Sequence, residues 1–325
     1  MSARTRLAQA YYDLATMLDA GLPILRTLDV VIDGRRGPIK QVFRSIRATI
    51  AQGSAFAEAM NEHPRVFPDM DRMLIEAAEA SGSLPTSFSM LSTWHDFVHR
   101  ITSRIMAGLV YPCFILHIGA FVAAGPGAIL GGFTLAQYLW TVAQFLLVFY
   151  IPTAVVLTIM LLQKRVPSLR WPLDFLALRV PILGTALYHM AICRYAKAFS
   201  MLYAAGVPIT ETVERAHRAT GNAVVARMFV GAQASIRNGG MAWEGFSKRL
   251  PSEYLQLWQV GEESGELDRT VGKIAEIAGD RADLFFQNFA RWMPFVVYIA
   301  VAIFLATRIF SLFGQVYGNV MNMAQ

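Results

Sequence analysis

The chain has 325 residues, of which 55% are apolar and 16% charged, and its mean hydropathy is +0.41. This composition excludes an ordinary soluble domain and favours a protein with membrane spans. The net charge of +6, from 29 Lys and Arg against 23 Asp and Glu, is small, and the basic excess lies largely beside the predicted membrane segments. We therefore expect no nucleic-acid partner, since such a surface clusters its cations on one face.

The first 104 residues have the pattern of about six short helices joined by turns. Apolar residues recur three and four apart, as in Leu14 and Leu18, and strict strand alternation is absent. Gly21 and Pro23 predict the end of one helix and the start of the next. Glycine accepts the left-handed conformation at a helix end, and the first helical turn does not need the N–H that proline lacks. The stretch "RTRLAQAYYDLATML" is amphipathic and interrupted by Asp13, so we expect no signal peptide.

Two long stretches predict transmembrane helices. Residues 105–162 contain no Asp, Glu, Lys or Arg, and from Trp292 onward the only such residue is Arg308. Because a span needs roughly 20 apolar residues, we place three spans at about 103–124, 136–162 and 292–313. The sequence "GPGAILGGFT" separates the first two.

The second polar segment, 163–291, repeats the first. "LATMLDAGLPI" at 14–24 matches "FSMLYAAGVPI" at 199–209, so Gly206 and Pro208 correspond to Gly21 and Pro23. "LIEAAEASGSLPTSF" at 74–88 likewise matches "LWQVGEESGELDRTV" at 257–271. Further paired landmarks occur in the same order, which predicts a duplicated helical domain.

We therefore predict an all-α integral membrane protein with two tandem homologous six-helix cytoplasmic bundles and three transmembrane helices. Its parts are cytoplasmic domain 1–104, transmembrane hairpin 105–162, cytoplasmic domain 163–291, transmembrane helix 292–313 and external tail 314–325. Cations adjoin the spans at the ends that face the two polar segments, and the positive-inside rule then places the N-terminus in the cytoplasm and the C-terminus outside. These cations are Arg100, Arg104, Lys164, Arg165, Arg170, Arg281 and Arg291.

The sequence lacks the motifs of common catalytic sites. It has no phosphate-binding G-x-x-x-x-G-K-[ST], H-E-x-x-H, C-x-x-C or G-x-S-x-G. His95 and His99 are spaced to share a metal ion, but no third ligand lies nearby in the sequence. His117 and Arg308, inside predicted spans, are candidates for an ion pathway; alternatively, His117 bonds a neighbouring helix and Arg308 reaches outward. We predict no enzyme activity, cofactor or bound metal, with a small membrane transporter or channel component as the alternative function.

Several sequence features resemble one known family. They are "GEESGEL" at 261–267, "AEASGSL" at 78–84, "AGLPI", "AGVPI", and the pairs Tyr111-Pro112 and Met293-Pro294 at the entries to the spans. Over nearly its whole length the chain resembles the F-domain proteins of type II secretion and type IV pilus machines, which are polytopic platform proteins of the bacterial inner membrane. The short stretch before the first domain is similar to that of pilus-type members, type IVb in particular.

The resemblance implies a scaffold that couples a cytoplasmic hexameric secretion ATPase to the assembly of pilins or pseudopilins. It also implies contacts with other inner-membrane assembly proteins and the lipid bilayer, and a homo-oligomer.

The acidic turns are the candidate partner sites, with Glu79, Gly82, Glu262, Glu263, Ser264 and Gly265 as the residues concerned. A glutamate at a helix end opposes the helix dipole and calls for a compensating partner. That partner is either internal (Arg269, Lys273 or a backbone donor) or external (a basic surface of another chain or a divalent cation). Under external docking, replacing Glu262 and Glu263 with Ala lowers pilus or secretion output at normal membrane levels. Under the internal alternative, the protein itself is lost.

Overall fold

The computed structural model describes residues 3–130, 134–163 and 170–323, and within these ranges every regular element is helical. The predicted all-α class is thereby confirmed. The α-helices are α1 (Ala3–Asp19), α2 (Ile24–Asp33), α3 (Pro38–Ala51), α4 (Phe56–Asn61), α5 (Asp69–Ser81), α6 (Leu84–Leu130), α7 (Leu135–Gln163), α8 (Arg170–Leu178), α9 (Leu183–Ala204), α10 (Ile209–Ala219), α11 (Ala223–Ala226), α12 (Gly231–Arg237), α13 (Ser252–Ser264) and α14 (Leu267–Met323). A short 3-10 helix, Ala242–Gly245, precedes α13.

Three of these helices are long and apolar enough to cross a membrane, as the sequence predicted. Their candidate stretches are Leu84–Val122, Leu135–Val155 and Leu267–Phe304. The helices α6 and α14 begin well before the predicted spans and contain Pro112 and Pro294 without ending there. The helical pattern of each polar segment therefore continues directly into its span.

The chain divides into two compact units, each built from two separated stretches. The first, here called the helical unit, comprises Met1–Thr102 and Trp171–Leu284. The second, the span unit, comprises Ser103–Arg170 and Phe285–Gln325. Both copies of the repeat thus contribute to one helical unit, the first with α1–α5 and the start of α6, and the second with α8–α13, the 3-10 helix and the start of α14.

The core of the helical unit is continuous across the two copies. Buried aromatic side chains from both belong to the same cluster, namely Tyr11, Phe43, Phe67, Phe88, Tyr195, Phe199, Phe229, Phe246 and Trp258. The tightest of these contacts is between Tyr195 and Phe229, whose ring centroids lie 3.6 Å apart at an interplanar angle of 14°. Stacked and edge-on aromatic pairs add to the stabilisation that their buried area provides.

The predicted glycine-proline turns are present in both copies. Gly21 and Gly206 end their helices at φ 80° and 85°, where a side chain would be strained. The next residue closes the turn in the same way in each copy, with Leu22 N donating to Met17 O at 3.0 Å and Val207 N to Leu202 O at 3.1 Å. Pro23 and Pro208 then immediately precede α2 and α10.

The span unit packs α6 closely against α14. A Cβ on Gly108 would lie 2.6 Å from Ala290 Cβ, and one on Gly119 would lie 2.9 Å from Val301 Cγ2. Small residues at such crossings allow close helix approach in lipid.

His117 joins α6 to α7 within the span unit. Its Nδ1 lies 2.7 Å from Cys113 O, to which it donates, and its Nε2 lies within hydrogen-bond distance of Tyr150 Oη at 2.8 Å. This is the predicted bond to a neighbouring helix. Residues 131–133, Lys164, Arg165, the last two residues of the tail and the side chain of Arg308 lie outside the described residues.

Candidate functional site: the acidic turns

Each acidic turn joins two helices through a left-handed glycine. The first runs from Ala78 to Leu84, where α5 ends at Gly82 with φ 72°. The second runs from Gly261 to Leu267, where α13 ends at Gly265 with φ 75°. These two glycines occupy matching positions and accept a backbone conformation that other residues rarely adopt. They act here as helix ends, and the turns they form set the direction of α6 and α14.

Glu79 binds the beginning of another helix. Its carboxylate accepts hydrogen bonds from Phe56 N at 2.7 Å and Ala57 N at 3.1 Å. These are the first two N–H groups of α4, which have no acceptor within their own helix. A negative charge is favoured at a helix N-terminus, so the carboxylate that opposes the dipole of α5 complements that of α4.

Glu262 makes the equivalent contact in the second copy. It accepts from Ala242 N at 2.6 Å and Trp243 N at 3.2 Å, at the start of the 3-10 helix. A backbone donor, one of the possible internal partners, is therefore present. The other internal candidates bind elsewhere, because Arg269 pairs with Glu266 at 2.7 Å and Lys273 with Glu276 at 2.6 Å.

Glu263 faces solvent, in contrast to Glu262. Its carboxylate accepts a hydrogen bond from Gln259 Nε2 at 2.7 Å on the surface of α13. Ser264 and Gly265 beside it are also exposed. In the first copy the position of Glu263 is taken by Ala80. The candidate residues thus separate into internal caps and a small exposed acidic surface that occurs only in the second copy.

The charge of Glu262 lies close to a buried tyrosine. Burial raises the pKa of Tyr195 far above its ordinary value, and the negative charge of Glu262 raises this pKa further. The Tyr195 hydroxyl is therefore protonated at physiological pH.

The first copy contains a buried polar network that the sequence did not predict. Asp71 Oδ2 accepts hydrogen bonds from Tyr11 Oη at 2.8 Å and from His95 Nε2 at 2.7 Å. Burial and the neighbouring Asp71 raise the pKa of Tyr11 well above its ordinary value. Among the described residues, no three His, Cys, Asp or Glu side chains are grouped to hold a metal ion. Sequence spacing gave no sign of this network, because Tyr11 and Asp71 are 60 residues apart.

The second copy has a different network at the matching place. Tyr254 takes the position of Asp71 and lies 3.1 Å, Oη to Nδ1, from His189. Arg281 donates to the same hydroxyl at 3.4 Å. Burial, followed by the positive charge of Arg281, lowers the pKa of His189, which favours its neutral form.

Comparison with known proteins accounts for the repeat. The model of the family described as type II secretion system (T2SS), protein F matches residues 10–131 and again residues 195–313. The chain belongs to this family. The two matches begin at residues that correspond in the repeat, and each extends from the polar segment into a candidate span. The F family unit is therefore present twice.

Relatives of similar length come from pilus and secretion systems alike. The chain is 26% identical to the type IV pilus assembly protein PilC of Pseudomonas aeruginosa, covering 95% of this chain and 88% of the relative. It is also 26% identical to the type II secretion system protein F of Vibrio cholerae, covering 97% and 80%. To the type IV pilus assembly protein TapC of Aeromonas hydrophila it is 23% identical, covering 94% and 79%. The chain is thus an inner-membrane platform protein of a type IV pilus or type II secretion system, a structural family and not a known enzyme family.

Proposed function

We propose that this platform protein couples a cytoplasmic hexameric secretion ATPase to the assembly of pilin or pseudopilin subunits. The observation that carries the proposal is the double match to the F family, in which each copy continues into an apolar helix. A protein that carries the family unit twice and resembles PilC and protein F along nearly its whole length fits the scaffold of such a machine.

The proposed topology has the N-terminus in the cytoplasm and the C-terminus in the periplasm. Two six-helix domains, 1–104 and 163–291, then face the ATPase, and the segments 105–162 and 292–313 lie in the inner membrane. The positive-inside rule supports this orientation, because cations adjoin the spans on the side of the two polar segments. Other inner-membrane assembly proteins and further copies of the chain complete the proposed complex.

The proposed mechanism is the transmission of force through rigid helices. Helix α6 has 47 residues and α14 has 57, and each runs without interruption from residues of the helical unit into the span unit. An α-helix rises about 1.5 Å per residue, so each is far longer than the roughly 20 residues needed to span a membrane. A push on the helical unit therefore reaches the membrane through a continuous hydrogen-bonded backbone.

The acidic turns have two proposed roles. Glu79 and Glu262, bound to backbone N–H groups, hold the turns in place together with Gly82 and Gly265. Glu263 and Ser264 are exposed and form the part of the second turn that is open to a partner.

Co-purification with the ATPase tests the proposed function. The affinity-tagged full chain is purified from bacterial membranes in mild detergent, and we expect the hexameric ATPase in the eluate. An unrelated tagged inner-membrane protein from the same cells serves as the control. Two results would contradict the proposal: an eluate rich in the chain but without the ATPase, or solute flux through proteoliposomes that contain the purified chain alone. The second result would favour the transporter alternative.

A further inference from the structure

Helix α8 has the reverse polarity of an ordinary helix in a soluble domain. Such a helix buries an apolar stripe and turns its charged residues to solvent. In α8 no residue is buried, and three large apolar side chains face outward, with Trp171 42%, Phe175 39% and Leu176 63% exposed. The rings of Trp171 and Phe175 stack on each other, with their centroids 5.5 Å apart. These three side chains form an exposed apolar surface, here called the α8 face.

The other side of α8 holds the helix to the helical unit. The carboxylate of Asp174 accepts a hydrogen bond from Ala223 N at 2.7 Å, at the start of α11. Leu178 packs against the core of the helical unit. Asp174 and Leu176 point in nearly opposite directions, because residues two apart on a helix differ by about 200°. The outward direction of the α8 face is therefore fixed by contacts on the opposite side of the helix.

Arginines border the α8 face. Arg179 Cζ lies 4.8 Å from the ring centroid of Phe175, and Arg227 Cζ lies 5.4 Å from that of Trp171. Both arginines are exposed. The only acidic residue of α8, Asp174, already accepts a hydrogen bond on the other side of the helix. The α8 face thus combines apolar and cationic side chains, and it fits a partner that is apolar with negative charge at its surface.

The position of α8 in the chain brings it to the membrane surface. Helix α7 has 29 residues. At about 1.5 Å per residue its length is roughly 43 Å, close to the thickness of a bilayer with its headgroups. Its last residue, Gln163, therefore lies at the surface when α7 spans the membrane. Only the six residues 164–169, which include Lys164 and Arg165, separate Gln163 from Arg170. Because a connection of this length reaches at most about 25 Å, α8 begins near the bilayer surface.

We propose that α8 lies flat on the cytoplasmic surface of the inner membrane and binds anionic phospholipids. The side chains of the α8 face insert between the lipids, and Arg179 and Arg227 contact the phosphate groups. Interfacial helices bury their apolar face about 5–10 Å deep and are held in addition by attraction to anionic lipids. Tryptophan is common at this depth, and arginine reaches from apolar surface to charged headgroups. The inference goes beyond the proposed function but rests on its topology, in which the helical unit is cytoplasmic.

Lipid fits the α8 face better than a protein does. The short connection to α7 keeps α8 close to the bilayer, so lipid is present at high local concentration whatever else binds the chain. A protein partner would have to displace this lipid while supplying both an apolar surface and acidic groups. Contact with lipid gives the second copy of the repeat an attachment to the membrane in addition to its span in α14.

Lipid quenching of a fluorescent probe tests whether α8 is inserted. Leu176→Cys is introduced into the full chain after Cys113→Ser and Cys193→Ala, and the new thiol is labelled with the environment-sensitive fluorophore NBD. The protein is reconstituted in phosphatidylcholine vesicles with about 30% phosphatidylglycerol as the anionic lipid. Val260→Cys is the matched control, because Val260 is similarly exposed, at 57%, on α13.

The two probe positions should respond oppositely to the two quenchers. Lipids with a doxyl group near the headgroup should quench the probe at Leu176 several-fold more than the probe at Val260, and aqueous iodide should do the reverse. A probe at Leu176 that iodide quenches as strongly as the control would overturn the proposal. So would a probe that is open to iodide in these vesicles but shielded in native membranes, since a protein partner would then cover α8.

The dependence on lipid charge tests the role of the arginines. Doxyl quenching of the probe at Leu176 should rise with the fraction of phosphatidylglycerol in the vesicles. At a given fraction, Arg179→Gln should lower the ratio of inserted to free α8 about fivefold, the contribution expected of one cation near an anionic surface. Arg237→Gln, at an exposed position on α12, should leave the ratio unchanged. Quenching independent of phosphatidylglycerol, or equal effects of the two substitutions, would overturn the proposal. Both measurements use the chain without the ATPase, so this inference and the proposed function can fail independently.

Discussion

The two acidic turns have the same internal contact and different exteriors. Glu79 and Glu262 each accept hydrogen bonds from two backbone N–H groups at the start of a short helix, at closely similar distances. One residue later, the first copy has Ala80 and the second has Glu263, which faces solvent. The duplicated fold thus retained the contact that holds the turn in place, and the copies diverged at the exposed position beside it.

The buried polar networks differ as well, although Asp71 and Tyr254 occupy matching positions of the repeat. In the first copy the carboxylate of Asp71 takes two hydrogen bonds, and in the second the hydroxyl of Tyr254 interacts with His189 and Arg281. Both side chains are buried, Asp71 at 0% and Tyr254 at 3% exposed. Asp71 is a buried acceptor that two buried donors share, so the first copy should be more sensitive to loss of that one side chain.

The largest effect is expected from Asp71→Ala. The substitution leaves the Tyr11 hydroxyl and the His95 ring N–H buried without acceptors and opens a cavity, which should lower the free energy of unfolding by about 4 kcal/mol. Thermal unfolding of the full chain in detergent, followed by tryptophan fluorescence, measures the change. Asp69→Ala is the matched control, since its side chain is 74% exposed and only pairs with Arg72, and should cost less than about 1 kcal/mol. Equal effects of the two substitutions would show that the buried network adds no special stability.

The capping glutamates should come next in size. Glu262→Ala and Glu79→Ala each remove a charged acceptor from two helix-start N–H groups, and we expect each to cost about 2 kcal/mol and to reduce membrane levels. Glu263→Ala should change the free energy of unfolding by less than about 0.5 kcal/mol and should leave membrane levels normal. The combined Glu262/Glu263 substitution therefore mixes a structural effect with a partner effect, and the single variants separate them. If Glu79→Ala destabilises the protein and Glu262→Ala does not, the two turns are not equivalent.

Much of this fold could be predicted from the sequence, and the part that could not has a physical reason. Gly21, Gly206 and the uncharged stretches act through local conformation and hydropathy, so their patterns identify turns and spans directly. The contact of Glu79 with Phe56 N joins residues 23 apart, and that of Arg215 with Glu76 joins residues 139 apart. Such contacts depend on how helices pack against one another. The helix dipole predicts that the glutamates need a partner, but only the packed structure identifies that partner.

A third difference between the copies concerns a tightly packed pair beneath the second turn. A Cβ on Gly261 would lie 1.8 Å from Thr270 Oγ1 and 2.8 Å from Thr270 Cβ. In the first copy the matching positions are Ala78 and Ser87, both buried. Ala78 on α5 is thus larger by one methyl group than its counterpart Gly261 on α13, whereas Ser87 on α6 is smaller by one methyl group than its counterpart Thr270 on α14.

This exchange predicts a compensated pair of substitutions. Gly261→Ala alone should cost about 2 kcal/mol through overpacking against Thr270, even though alanine favours a helix more than glycine. Adding Thr270→Ser recreates the pair found in the first copy and removes the Cγ2 methyl group, so the hydroxyl that the new Cβ would meet can rotate into the vacated position. This second substitution should restore most of the loss. The reverse exchange serves as the matched test. Ser87→Thr alone should destabilise the first copy, and adding Ala78→Gly should restore its stability. The same thermal unfolding measurement applies to all four variants. Residues in contact should couple by about 0.5–3 kcal/mol. If the effects of the paired substitutions on the free energy of unfolding were merely additive, the two crossings would not be equivalent packing solutions.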